Sequence, residues 1–251
     1  MKILATLIRA ALAAGVLATL SACGDSVPNL GPKSTTIPSG PAGQLIHQGR
    51  LIATDTVSML KDHVGNGLRC STCHLNAGTL PNGGAWVRVP TQDSQALAAR
   101  INRCLTESMN GKPLTADAPE MQALRTYIGW LGTAKLKPEQ EAGARGFGPI
   151  DTSLAPDRDR GAAFYGKRCA HCHGEHGEGT LNDRAPGGYK YAPLWGKDAF
   201  SAASEMNQLP IAAAFIKNNM PRTRTHALTA QEAMDVASYV LAQPRPAATA
   251  P

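Results

Sequence analysis

After residue 20 the chain holds no apolar run long enough to span a membrane as a helix, which excludes a bundle of membrane-spanning helices there. Its 25 basic residues outnumber the 19 acidic ones, yet they are nowhere gathered into an arm, so no nucleic-acid partner is expected. Lys2 and Arg9 supply two of the six net positive charges; the rest favours anionic partners. Cysteines are scarce: Cys23, Cys70, Cys73, Cys104, Cys169 and Cys172 are the whole set. A structural zinc site, the competing use of such residues, would want four ligands in matched pairs.

What is present begins with a leader. Lys2 gives a positive start, and a mostly apolar stretch interrupted by Arg9 runs to Leu20. Leu20-Ser21-Ala22-Cys23 then resembles the lipobox of bacterial lipoproteins. The reading is a signal peptide over 1–22, a lipid-modified Cys23 and a flexible tether over 23–43, rich in Gly, Pro and Ser. The exported chain is expected in the periplasm, held to a membrane by that lipid. The remainder is long enough for two domains of about 100 residues each.

Two motifs dominate. Cys70-Ser71-Thr72-Cys73-His74 and Cys169-Ala170-His171-Cys172-His173 both read C-x-x-C-H, the pattern of covalent c-type haem attachment. The spacing follows from the chemistry: two thiols bond to the macrocycle edge, and the adjoining histidine turns under the ring to ligate iron. A redox disulfide needs no such histidine, still less twice. The expected cofactors are two c-type haems, the first on Cys70 and Cys73, the second on Cys169 and Cys172, with His74 and His173 as proximal ligands.

Around the second motif, "DRDRGAAFYGKR" reads as a short helix with Gly161, Ala162 and Phe164 available for close packing. "TAQEAMDVASYVLAQ" reads as a helix capped by Thr229. "DAPEMQALRTYIGWLG" echoes it, Tyr127 matching Tyr239, which suggests a weak internal duplication. The expected fold is all-α: two class I cytochrome c-like domains, 44–133 and 160–243. A polar connection rich in Gly and Pro joins them over 134–159, and 244–251 reads as a disordered tail.

The sixth iron position separates a carrier from a catalyst. For the second haem, Met220 in "FIKNNMPRT" is the best candidate, ahead of Met206; Met234 reads as plain helix core. The first half has no comparable Met-Pro loop. It has Cys104, in "DSQALAARINRCLTESMNG", which reads as one helix capped by Asp93 or Ser94. Helical spacing puts Arg100 and Ser108 one turn either side of Cys104. An unpaired thiol is a liability in an oxidising compartment unless protected or used, and a cationic neighbour favours its thiolate. The plain alternative is a small buried hydrophobe beside a solvated helix edge.

"CSTCHLNAGT", "RINRCLTESMNGKPL" and "PEMQALRTYIGWL", followed by a haem domain with "NNMP", resemble the dihaem thiosulfate dehydrogenases, which couple two thiosulfates into tetrathionate, some members running in reverse. The resemblance implies a His74/Cys104 axial pair on the first haem and His173/Met220 on the second. It also implies substrate-facing roles for Arg88, Arg100 and Ser108. Electrons would leave through the second haem to an external acceptor such as a small cytochrome c or a high-potential iron-sulfur protein. Some members carry a lysine before the methionine and exchange ligands there; this sequence has Asn219. Cys104 would either stay on the iron during turnover or leave it to form an S-thiosulfate adduct that a second thiosulfate attacks. Two rival readings fit the same motifs: a non-catalytic dihaem carrier, against which Cys104 argues, and a haem subunit of a multi-component sulfur-oxidising system.

Overall fold

The computed structural model describes residues 28–247; the leader, Cys23 and the last four residues of the tail lie outside the described residues. The longer helices are α1 (Pro41–Thr54), α2 (Ser94–Arg103), α3 (Pro119–Leu131), α4 (Arg158–Arg168), α5 (Leu209–Asn219) and α6 (Ala230–Leu241). Among the described residues the strands are confined to one antiparallel pair, β1 (Thr180–Leu181) and β2 (Tyr189–Tyr191). No helix among these residues is long and apolar enough to cross a membrane.

Each half is built on one crossing, α1 over α3 and α4 over α6. A glycine lets the backbones meet at each. A Cβ on Gly49 would lie 2.2 Å from the Ala123 carbonyl oxygen and 2.6 Å from Tyr127 Cβ; on Gly161 it would lie 2.1 Å from the Asp235 carbonyl oxygen and 3.0 Å from Tyr239 Cβ. Any larger residue would force the helices apart and open a void, so Gly–Tyr is the fixed element of the duplication. Tyr127 then donates to the Ala77 carbonyl at 2.8 Å, tying the crossing to the loop beyond the first C-x-x-C-H. In the second half, buried Asp235 on α6 accepts from Arg160 on α4 through Nε and Nη2, at 2.7 and 3.0 Å. The helix starts are capped as their side chains allow: Asp93 accepts from the Gln95 and Ala96 amides, and Thr229 forms a capping box with Glu232.

Three segments depart from the sequence reading. Residues 28–43 do not behave as a free spacer: Leu30 is buried against the first domain, and its amide donates to the Thr79 carbonyl at 2.8 Å. Gly- and Pro-rich composition hid one well-placed apolar anchor. The described part of the tail also packs, because Pro244 and Pro246 accept from the Gly196 and Ala202 amides, both at 2.8 Å. Arg245 lies over the Phe200 ring, 4.3 Å from its centroid. The single helix expected over Cys104 is two: α2 ends at Arg103, and Cys104–Ser108 continues as a π-turn in which the Met109 amide donates to the Cys104 carbonyl at 3.1 Å. Such one-turn insertions cluster at functional sites. The connection between the halves lies against the first domain, Gly143 and Gly146 accepting from the Asn82 and Gly84 amides at 2.8 and 2.9 Å.

Candidate active site and haem centres

Cys70–Cys73 is a single helical turn, anchored where the Cys70 amide donates to buried Thr56 Oγ1 at 2.9 Å. His74 follows, its Nδ1 2.7 Å from the Gly84 carbonyl oxygen. A carbonyl only accepts, so the proton is on Nδ1 and the Nε2 lone pair is free for a metal. Burial holds the His74 pKa down, against the hydrogen bond to Gly84, which favours the charged ring. The second motif repeats the device: His173 Nδ1 lies 2.8 Å from the Ala192 carbonyl oxygen.

His74 opens on a cleft of about 230 Å³ that is open to solvent. Its walls include Leu68, Leu97, Ile101, Leu105 and Ile128, and into it come Cys70, Cys73 and Cys104. All five described cysteines are free thiols. Two thiols on one turn, a neutral imidazole with Nε2 available, a further thiol and apolar walls fit a covalently held macrocycle. Among the described residues no group of three or more His, Cys, Asp and Glu side chains is placed to hold a metal ion without one.

The charged and polar residues of the lining include Arg69, Arg100, Arg103, Glu107, Ser108, Ser204 and Glu205. Arg103 is neutralised by Glu205 and, at 3.7 Å, by Glu107. Arg100 and Arg69 form no ion pair among the described residues; Arg69 feels the charge of Asp55, while Arg100 has no carboxylate partner. The Cys104 pKa is pushed well up, chiefly by burial and then by Cys70, Cys73 and Glu205, with a hydrogen bond from Ser108 pulling it down. The lowering expected from Arg100 is not what this thiol experiences; burial dominates.

In the second half, Met220 caps the C-terminus of α5 and packs with Phe147, Phe215 and Ile216. Asn219 before it is buried, its amide donating to the Asn82 and Phe215 carbonyls at 2.8 and 3.1 Å. Met206 lines the first cleft, and Met234 is buried core.

Two family models match. Residues 61–133 fit the cytochrome c domain of SoxA/TsdA, and residues 159–244 fit cytochrome c. A thiosulfate dehydrogenase of Stutzerimonas stutzeri is 35% identical over 225 residues, covering 86% of this chain and 72% of that one. Another, from Allochromatium vinosum, is 36% identical over 228 residues, covering 86% and 83%. The chain belongs to the thiosulfate dehydrogenase family. The solved thiosulfate dehydrogenase (TsdBA) of Marichromatium purpuratum superposes with a TM-score of 0.72 at 32% identity, covering 85% of this chain and 49% of that one, so this chain spans about half its length. The fold is accordingly two cytochrome c domains with two c-type haems, a class of domain that works outside the cytoplasm.

Against the family pattern, the structure gathers His74, Arg100, Cys104 and Ser108 in one cleft and leaves Arg88 out of it. The Arg88 guanidinium meets Glu141 through Nε and Nη2 at 3.1 and 2.7 Å, and Nη1 donates to the Val87 and Ala134 carbonyls. Arg88 holds the connection between domains. Arg88→Ala is therefore expected to leave the KM for thiosulfate within about twofold and to cost stability of about 1 kcal/mol or less, the pair being partly exposed. Steady-state kinetics and a thermal melt read both. A tenfold rise in KM would return Arg88 to the substrate site. Sequence reasoning missed Arg69, although it directly precedes the first motif. It also missed Ser204 and Glu205, which come from the other domain.

Proposed function

We propose that the chain oxidises thiosulfate to tetrathionate in the first cleft, with Cys104 at the reacting centre and Arg100 and Ser108 holding the anion. The observation that carries this is one cleft in which a spare thiol lies beside an uncompensated arginine, a serine and the first haem-attachment turn. His74 and Cys104 would hold the first haem iron, and His173 and Met220 the second. Coupling two thiosulfates removes two electrons, and two c-type haems supply that accepting capacity when bound, passing the charge to an external acceptor.

The chain's own groups do the rest. Arg100 binds the sulfonate end in a two-pronged hydrogen bond and offsets the repulsion between two dianions, while Arg69 adds a second, half-buried charge. Ser108 donates to sulfur or to sulfonate oxygen. On the covalent route the Cys104 thiolate and the outer sulfur of one thiosulfate join with loss of two electrons, which the haems would accept when bound. The outer sulfur of a second attacks the bound outer sulfur, the bond to Sγ breaks, and tetrathionate leaves with the Cys104 thiolate restored. A small cytochrome c or a high-potential iron-sulfur protein suits the role of acceptor. The lipobox-like Leu20-Ser21-Ala22-Cys23 supports membrane attachment through Cys23.

The test is direct: thiosulfate added to the purified oxidised protein is expected to give the absorbance of reduced haem, and tetrathionate to appear in step. Absence of both, with an artificial acceptor also inactive, would leave a carrier.

A further inference from the structure

Ser204 Oγ lies 2.9 Å from Ser108 Oγ, a contact between the two domains spanning 96 residues of sequence. Ser204 is buried, lines the same cleft as Cys104, and its Oγ already accepts the Met206 amide at 3.2 Å. Each hydroxyl has one proton to give. If Ser108 gave its proton to Ser204, Ser108 would turn only lone pairs towards the Cys104 sulfur and an arriving dianion, which is repulsive. If Ser204 donates instead, the Ser108 proton stays free for the cleft. Electrostatics selects the second arrangement.

The loop that brings Ser204 in is fixed on both sides. Ser201 Oγ donates to the Glu107 carbonyl and the Ser201 amide to the Ser108 carbonyl, so the second domain closes the end of the π-turn. Asn66 Nδ2 bridges the Ser108 and Ala199 carbonyls at 3.0 Å each. On the far side the Ala202 amide is held by Pro246 of the tail.

We propose that Ser204 is a positioning residue of the first cleft: it donates to Ser108 Oγ and so aims the Ser108 proton at the Cys104 sulfur and the substrate sulfonate. This rests on the reading in which Cys104 and Ser108 meet thiosulfate. The substrate site is then complete only when the electron-transfer domain is docked.

The test is a double-mutant cycle on the holoenzyme. Ser204→Ala is expected to raise the KM for thiosulfate about tenfold with kcat within about twofold, the size of one lost directed hydrogen bond. Ser204→Thr, which keeps the hydroxyl, restores it. In a Ser108→Ala background, Ser204→Ala adds nothing, because its action runs through Ser108. The electron paramagnetic resonance signal of the first ferric haem, sensitive to hydrogen bonds on its thiolate, shifts alike in both alanine variants and not in the threonine variant. A silent Ser204→Ala beside an impaired Ser108→Ala overturns this inference alone, as does an equal loss in both backgrounds. A silent Ser108→Ala overturns the underlying reading and this one with it. Haem content and a thermal melt identify misfolding, in which case the threonine variant and its resonance signal decide.

Discussion

Cys104→Ala is expected to keep both haems attached and to lower thiosulfate turnover by at least about a thousandfold, the scale on which loss of a covalent nucleophile is felt. Attachment survives because Cys70 and Cys73 sit on a separate turn held by Thr56, and Gly84, not Cys104, orients His74. The fold survives because the neighbouring Leu105 supplies the core contact of the π-turn, while Cys104 lines the cleft. Removing its sulfur costs about 1 kcal/mol, a small part of the stability of a domain. Mass spectrometry checks haem content, steady-state assays check turnover, and electron paramagnetic resonance reads the lost thiolate signature at the first haem. Cys104→Ser separates the roles further, since a hydroxyl fills the space without being a comparable nucleophile or iron ligand. Turnover near the wild-type rate in either variant would remove Cys104 from the reaction.

Much of this was open to reading in the chain itself, where the signal was local. C-x-x-C-H binds three chemical roles to five consecutive residues, so Cys70, Cys73 and His74 needed no fold to be found. Caps at Asp93 and Thr229 are equally local, each resting on a side chain and an amide two or three residues on. The departures have the opposite character. Leu30 packs on the loop at Thr79, and Arg245 on Phe200, contacts to which a polar, Pro-rich neighbourhood gives no clue. The π-turn at Cys104 has no compositional mark; its Glu107 and Ser108 carbonyls find partners on Ser201 and Asn66, far away in sequence. Arg88 and Arg100 look alike along the chain. What distinguishes them is Glu141, 53 residues from Arg88, which takes up one guanidinium and leaves the other free.

Arg100→Gln is expected to lower kcat/KM for thiosulfate by about a hundredfold, most of it in KM, because one charge-assisted pair to a buried-side anion is worth roughly 1.5–3 kcal/mol. The charge balance of the cleft explains the size. Arg103 is paired with Glu107 and Glu205, and Arg69 feels the charge of Asp55, which leaves Arg100 as the lining arginine without a carboxylate partner, facing a substrate that arrives twice as a dianion. Arg103→Gln removes a charge already answered by two carboxylates. Its effect on substrate binding is accordingly indirect, and a loss smaller than that of Arg100→Gln is expected. Arg100→Lys keeps the charge but gives up the planar fork, and an intermediate loss is expected. Ionic strength gives an independent check, since added salt screens the exposed Arg100 more than any buried contact. In the wild-type protein KM is expected to rise with salt, and in Arg100→Gln that slope is expected to flatten. A variant that kept the wild-type slope would place the anion against Arg69 instead.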